Sequence, residues 1–190
     1  MILVLASTSA IRRQMLDAAG VDYRAMKPEV DEDQAKHGAV DARELASTLA
    51  NAKACSIPGT GWVIGSDSVV SVGGRRFNKP KDREEAEDHL RFFSGRTMFL
   101  TSAVALARGG EPQWLHAETA RLEVRELSDE FIAAYLDAEW PQVRYTVGVF
   151  RLEGPGVQLF EKIEGDHFTI LGMPLVPLLR ALRDRKLLLA

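Results

Sequence analysis

The stretch from Val63 to Asp82, VIGSDSVVSVGGRRFNKPKD, constrains the fold more than any other part of the chain. Its first two residues read as the end of a buried strand that Gly65 breaks, and Asp67 follows between two serines. A second apolar run and the turn residues Gly73-Gly74 predict a hairpin that returns Lys79 toward the acid. Catalytic groups of α/β proteins commonly lie at strand ends, which favours a catalytic interpretation. The alternative is a solvated turn whose carboxylate caps a helix.

The beginning of the chain predicts a site for an anion. The apolar run Ile2–Leu5 predicts a central strand, and the small hydroxylated residues Ala6–Ser9 follow it. A helix then extends from Ser9 to about Gly20, with Arg12 and Arg13 in its first turn. Cations are unfavourable there unless an anion binds, because the helix dipole is positive at its N-terminus. The alternative is that both arginines face solvent or pair with carboxylates.

Composition bounds the ligands and the compartment. The chain has 190 residues and a net charge of −3, which argues against a surface that coats a nucleic-acid polymer but permits a local pocket for one nucleotide. Residues 1–6 lack the basic start of a signal peptide, and no apolar run approaches the roughly 20 residues of a membrane span. We therefore expect a cytoplasmic protein with no membrane partner.

The order of the predicted elements indicates one α/β domain over residues 1–190. Strands alternate with helices at the start of the chain, whereas Met98–Ala107 and Trp114–Arg125 read as neighbouring antiparallel strands, so the sheet is predicted to be mixed. The acidic run Glu29–Asp33 is typical of a solvated loop. It also contains carboxylates that could hold a divalent cation.

Three motifs occur in order along the chain. They are LASTSAIRR at 5–13, GSDSVV at 65–70 with NKP at 78–80, and EGPGVQLFEKIEGD at 153–166 followed by ILGMPL at 170–175. Together they resemble the Maf family of nucleoside triphosphate pyrophosphatases over essentially the whole chain. Two substitutions depart from the family pattern, Ala10 for a proline and Asn78 for a glycine, and neither removes a charged group.

The resemblance implies an elongated mixed β-sheet flanked by helices, with two lobes around a central cleft, similar to the inosine triphosphate pyrophosphatases. It also implies a divalent cation (Mg²⁺, or Mn²⁺ in its place) and frequently a homodimer. The implied reaction converts a nucleoside triphosphate and water to the monophosphate and pyrophosphate, as in the removal of non-standard nucleotides.

The family's site residues transfer to this chain by matching motifs. Ser7 and Arg12 match its phosphate-binding loop, and Lys53 matches the lysine of its second helix. Asp67 matches the residue usually assigned as catalytic base, although its role could instead be to hold the metal with Glu32. Lys79 matches the lysine of the family's GKP motif and joins the catalytic set.

Three further positions, Ile11, Ser68 and Glu153, correspond to those that set base preference in the family. The subfamily acting on dTTP and UTP carries Arg, Thr and Gln there, whereas the subfamily acting on 7-methyl-GTP carries Trp, Gln and Glu. Glu153 favours a modified purine such as 7-methyl-GTP, and the other two match neither subfamily. The alternatives are a dTTP/UTP pyrophosphatase, a nucleotide-binding regulator of cell division without turnover, and a phosphatase that releases orthophosphate.

Overall fold

The computed structural model describes residues 3–32 and 41–189, so Asp33 of the acidic run lies outside the described residues. The strands are β1 (Leu3–Ala6), β2 (Tyr23–Met26), β3 (Trp62–Val72), β4 (Arg75–Phe77), β5 (Thr97–Arg108), β6 (Glu111–Val124) and β7 (Phe160–Glu164). The α-helices are α1 (Ala10–Ala18), α2 (Ala42–Cys55), α3 (Arg83–Phe93), α4 (Asp129–Glu139), α5 (His167–Leu171) and α6 (Leu175–Asp184). Two 3₁₀ helices cover Gln142–Tyr145 and Pro155–Leu159.

The seven strands of the described residues form one sheet, which is mixed as the sequence predicts. Its order is β2-β1-β3-β5-β6-β7, with β4 paired to β3. Strand β1 runs parallel to β2 and to β3, whereas β4 is antiparallel to β3 and β7 is antiparallel to β6. With helices on the sheet, the chain has the predicted α/β class.

The chain divides into two compact units. The first comprises the described residues up to Ser68, then Thr101–Thr119, and the chain from Asp166 onward. Its core is formed by apolar side chains of β1, α1, β3, β5 and α6, including the fully buried Leu5, Leu16, Ile64, Leu106 and Leu178. The leucines of α6 recur at helical spacing, so one face of that helix is buried in this core.

The second unit comprises Val69–Leu100 and Ala120–Gly165. Its helices α3 and α4 pack against each other, and both begin where the sequence predicts a helix cap. Asp82 accepts a hydrogen bond from the Glu85 amide, and Ser128 accepts one from the Phe131 amide. Among the described helices of the chain, none has the length and apolar character that a membrane span requires.

One local prediction is wrong. Strand β3 continues from Trp62 to Val72 without ending at Gly65, so Asp67 lies within a strand and not in a loop after it. The hairpin at Gly73-Gly74 is present as predicted, because β4 pairs with β3 immediately after that turn. Gly65 does not break the strand; it lies where helix α2 packs closely against β3.

Candidate functional site

Lys53, Asp67 and Glu32 meet in the first unit and are called here the acid–lysine cluster. Lys53 Nζ lies 2.5 Å from Asp67 Oδ1 and 2.8 Å from Glu32 Oε1. The side chains of Lys53 and Asp67 are 11% and 14% exposed, whereas that of Glu32 is 47% exposed. One side of the cluster is therefore accessible to a ligand, and the ion pair on its inner side is shielded from solvent.

Gly65 explains how Lys53 reaches Asp67. A Cβ atom at Gly65 would lie 2.2 Å from the Ala50 carbonyl oxygen and 2.4 Å from the Ala54 amide nitrogen, both in the backbone of α2. Only a residue without a side chain permits the helix to approach the strand this closely. Since alternate residues of a strand share a face, Asp67 lies on the face that α2 crosses, and Lys53 adjoins the crossing point.

Arg12 is held at several atoms, whereas its neighbour Arg13 is exposed. Its Nε donates to the Gly172 carbonyl at 2.9 Å, its Nη1 to the Ser66 carbonyl at 2.8 Å, and its Nη2 to Ser68 Oγ at 3.1 Å. Burial lowers the pKa of Arg12, and the charges of Asp67 and Glu32 partly oppose that shift. Because the guanidinium donates to Ser66 and Ser68, the chain neighbours of Asp67, it lies beside the acid–lysine cluster.

Ser7 shapes the loop that leads from β1 into α1. It is buried, and its Oγ accepts a hydrogen bond from the Ser9 amide at 3.1 Å. Ser9 occupies the N-cap of α1 without a side-chain cap, and no acidic residue lies in the first turn of that helix. The positive end of the helix dipole near Arg12 is thus not neutralised by a carboxylate on the same turn.

The other predicted residues are divided between the two units. Ile11 is half-buried beside Arg12 in α1, and Ser68 belongs to β3 with its hydroxyl within hydrogen-bonding distance of Arg12. Lys79 and Glu153 belong to the second unit, and both are exposed. The first unit therefore brings together four of the predicted site residues, namely Arg12, Glu32, Lys53 and Asp67. Ser7 belongs to the same unit, but its hydroxyl bonds to the Ser9 amide and not to these four side chains.

The segment that carries Glu153 is fixed within the second unit. Arg151 donates to both carboxylate oxygens of the buried Glu139, at 2.8 and 3.1 Å. This ion pair raises the pKa of Arg151, and the negative charge of Glu153 raises it further. A Cβ at Gly156 would lie 2.6 Å from the Arg151 carbonyl oxygen, so the turn closes tightly on the arginine.

Sequence reasoning missed three residues near Arg12: Gly172 and Ser66, whose carbonyls accept its hydrogen bonds, and Ser102, which lies behind Ser68. Gly172 is the C-cap of α5, and its φ of 112° is in the left-handed region that favours glycine. Ser66 and Ser102 are fully buried, and their hydroxyls bond to the Gly172 and Thr169 carbonyls. For Ser66 and Gly172 the motifs GSDSVV and ILGMPL contained the signal, because small residues in both allow a close approach of backbone segments. Ser102 lies outside both motifs.

Comparisons with known proteins match nearly the whole chain. The family model for Maf-like proteins matches residues 2–185. The chain is 43% identical over 190 residues to a nucleoside triphosphate pyrophosphatase of Hyphomonas neptunium, covering 97% of this chain and 96% of that protein. It is 44% identical over 191 residues to a 7-methyl-GTP pyrophosphatase of Rhizobium meliloti, covering 96% of each.

Among solved structures, the Staphylococcus aureus Ham1 protein aligns with a TM-score of 0.45 and 17% identity, over 66% of this chain and 73% of that one. The sequence matches, in contrast, extend over nearly the full length of the chain and of its relatives. They include the segments that place Arg12, Lys53 and Asp67. The chain belongs to the Maf family.

Proposed function

We propose that this chain hydrolyses a nucleoside triphosphate to the nucleoside monophosphate and pyrophosphate. The observation that carries the proposal is the acid–lysine cluster together with Arg12, which bonds to Ser66 and Ser68 on either side of Asp67. A triphosphate needs cations to bind it and a carboxylate to act on water, and this part of the first unit contains both. Full-length relatives named as nucleoside triphosphate pyrophosphatases support the reaction.

The chemistry assigns a role to each group. Water attacks the α-phosphorus, the bond from that phosphorus to the bridging oxygen of the β-phosphate breaks, and pyrophosphate leaves with its electron pair. Asp67 is the candidate base that accepts the proton of the attacking water. Arg12 and Lys53 bind the phosphates and offset the negative charge that the transition state spreads over its oxygens, and the loop at Ser7 contributes backbone donors. Lys79 is assigned a catalytic role only by its match to the family's GKP motif.

Asp67 and Glu32 fit a divalent cation. Their carboxylates converge on one point, the Lys53 ammonium, and oxygen donors of this kind are the ligands that Mg²⁺ prefers. Within the described residues no group of three or more His, Cys, Asp or Glu side chains could hold a metal ion. Mg²⁺ commonly takes one or two carboxylates together with substrate phosphates, so the proposal needs no more than Asp67 and Glu32 from the protein. Bound Mg²⁺, or Mn²⁺, would supply neutralisation of phosphate charge.

For the base, we propose a modified purine such as 7-methyl-GTP. Glu153 supports this substrate because a carboxylate accepts hydrogen bonds from a guanine edge and attracts a cationic methylated ring. A relative at 44% identity is named 7-methyl-GTP pyrophosphatase, which is a second support. A dTTP/UTP preference is the alternative, since a pyrimidine N3–H could also donate to Glu153.

The test is a product assay with Mg²⁺ and a panel of dTTP, UTP, CTP, GTP and 7-methyl-GTP, repeated with Mn²⁺. We expect pyrophosphate and a monophosphate, and we expect Asp67→Asn to lower kcat by at least about a hundredfold, the usual contribution of a general base. The matched control is Asp22→Asn, because Asp22 is an exposed carboxylate of the same unit.

Each other outcome has a definite meaning. Release of orthophosphate would replace the pyrophosphatase by a phosphatase. Nucleotide binding without turnover on the whole panel would favour the regulatory alternative. Near-parental rates in Asp67→Asn would remove Asp67 from the chemistry, and a ranking led by dTTP and UTP would reverse the proposed base preference.

A further inference from the structure

Ser102 lies behind the residues that hold Arg12 and has no assigned role. It is on β5, it is fully buried, and both of the residues to which its hydroxyl bonds belong to the first unit. Its Oγ lies 2.7 Å from the Thr169 carbonyl oxygen and 2.9 Å from Ser68 Oγ. Ser68 Oγ in turn lies 3.1 Å from Arg12 Nη2. A continuous row of hydrogen bonds thus leads from Thr169 to the guanidinium.

The positions of the protons in this row follow from the donors and acceptors. The Thr169 carbonyl can only accept, so the single proton of Ser102 is directed to it. The single proton of Ser68 then has two acceptors within reach, Ser102 Oγ at 2.9 Å and the Gly172 carbonyl at 3.1 Å, and the two hydroxyls bond to each other only when Ser68 donates to Ser102. Only lone pairs of Ser68 remain for Arg12 Nη2, which can only donate.

The Gly172 carbonyl is consistent with this arrangement. Its oxygen lies within 3.1 Å of three possible donors, Arg12 Nε, Ser66 Oγ and Ser68 Oγ. A carbonyl oxygen has two lone pairs, which Arg12 and Ser66 fill when Ser68 donates to Ser102. Each donor in the row then has one acceptor. The Ser68 hydroxyl gives its proton to Ser102 and offers a lone pair to Arg12 Nη2.

We propose that Ser102 is a positioning residue for Arg12: it fixes the proton of Ser68 and thereby keeps an acceptor directed at the guanidinium that binds phosphate. This inference rests on the proposed role of Arg12 in binding the triphosphate. Without the Ser102 hydroxyl, the Ser68 proton competes with Arg12 and Ser66 for the Gly172 carbonyl, and the guanidinium loses a fixed partner. The consequence is weaker phosphate binding with a folded chain.

The test uses Ser102→Ala in the full chain and inorganic pyrophosphate with Mg²⁺ as the probe. Calorimetry should show a Kd for pyrophosphate that is about threefold to tenfold higher, the range for one lost hydrogen bond. The KM for the preferred triphosphate should rise by a similar factor, whereas kcat should change by less. Circular dichroism and the melting temperature establish that the variant is folded.

The matched control is Thr101→Val, at the adjacent position of β5. Thr101 is 3% exposed and its hydroxyl lies 2.8 Å from that of Thr119, so the substitution also removes a buried hydroxyl pair. Successive strand residues face opposite sides of a sheet, so Thr101 is not part of the row that leads to Arg12. The control should leave the Kd for pyrophosphate unchanged.

A double-mutant cycle separates this inference from the function on which it rests. Arg12→Ala should weaken pyrophosphate binding more than Ser102→Ala does, and Ser102→Ala should add nothing in the Arg12→Ala background. If Arg12→Ala binds normally, the proposed role of Arg12 is wrong and the inference falls with it. If only Arg12→Ala weakens binding, or if Thr101→Val weakens it as much as Ser102→Ala does, the role of Ser102 is wrong and that of Arg12 stands.

Discussion

The Lys53 ammonium occupies the position at which two carboxylates converge, 2.5 Å from Asp67 and 2.8 Å from Glu32. A lysine in this position can serve the reaction in two ways. It can bind phosphate when a nucleotide is present, and it can balance the charge of the carboxylates when none is present. The second role implies that the ammonium and a divalent cation compete for the same oxygen atoms.

Replacing Lys53 by Met tests that competition without any measurement of activity. Met keeps an unbranched side chain but removes the charge, so we expect the nucleotide-free protein to bind Mn²⁺ about tenfold more tightly, or more. Calorimetric titration with Mn²⁺ measures this directly. Lys81→Met is the control, because Lys81 is 86% exposed and contacts only Glu85 among the ion pairs described. Unchanged or weaker Mn²⁺ binding in Lys53→Met would show that the lysine does not compete with metal.

At the scale of helices and strands, the crossing of α2 over β3 positions Lys53. Gly65→Ala would place a carbon atom 2.2 Å from the Ala50 carbonyl oxygen, so helix and strand must separate. We expect a loss of about 1–3 kcal/mol in the free energy of unfolding, as in other overpacked sites, measured by urea denaturation. We also expect a fall in kcat of at least about tenfold, because the energy of positioned charges depends on their separation.

A suitable control for that substitution is Ser71→Thr, which adds one carbon to the same strand at a half-buried position. It should change neither stability nor kcat appreciably. If Gly65→Ala lowered stability but left kcat intact, the close crossing would serve packing alone, and the position of Lys53 would have to depend on other contacts.

The same crossing shows why the sequence predicted some elements and not others. Helix starts were predictable because a cap such as Asp82 or Ser128 acts on amides only three residues away. The continuation of β3 through Gly65 was not predictable, because the reason for the glycine is a helix that precedes it by more than ten residues. Gly172 was missed likewise, since its carbonyl bonds to residues distant in the chain.

For the molecule as a whole, we expect His89 of the second unit to link stability to pH. Its ring packs edge-on against Phe77, with ring centroids 5.0 Å apart, and its buried Nδ1 has no hydrogen-bond partner in the described part of the chain. Burial lowers the pKa of His89, Glu85 and Asp88 oppose the shift, and Arg75 adds to it. The folded protein therefore binds the His89 proton less readily than the unfolded chain does.

The sign of the pH dependence follows from that difference. Above the unfolded pKa of about 6.5 both states are neutral at this residue, and its full contribution to stability is present. As the pH falls below that value the unfolded chain takes up the proton first, so stability decreases until the pH passes the lowered pKa of the folded state. We therefore expect the melting temperature to fall between pH 7.5 and pH 5, and to fall by less in His89→Phe, which keeps a ring but cannot titrate.

His167→Phe is the control for that comparison, because it removes a histidine from the first unit and leaves the second intact. The pKa of Glu164 is lowered by Lys162 and Arg121, and ion pairs of this kind lose stability under acid in every variant. His89→Phe should therefore reduce the acid-induced fall without abolishing it. The quantity to compare is how far the melting temperature falls between pH 7.5 and pH 5 in His89→Phe and in His167→Phe. An equal fall in both would mean that the burial of His89 does not couple the stability of this chain to pH.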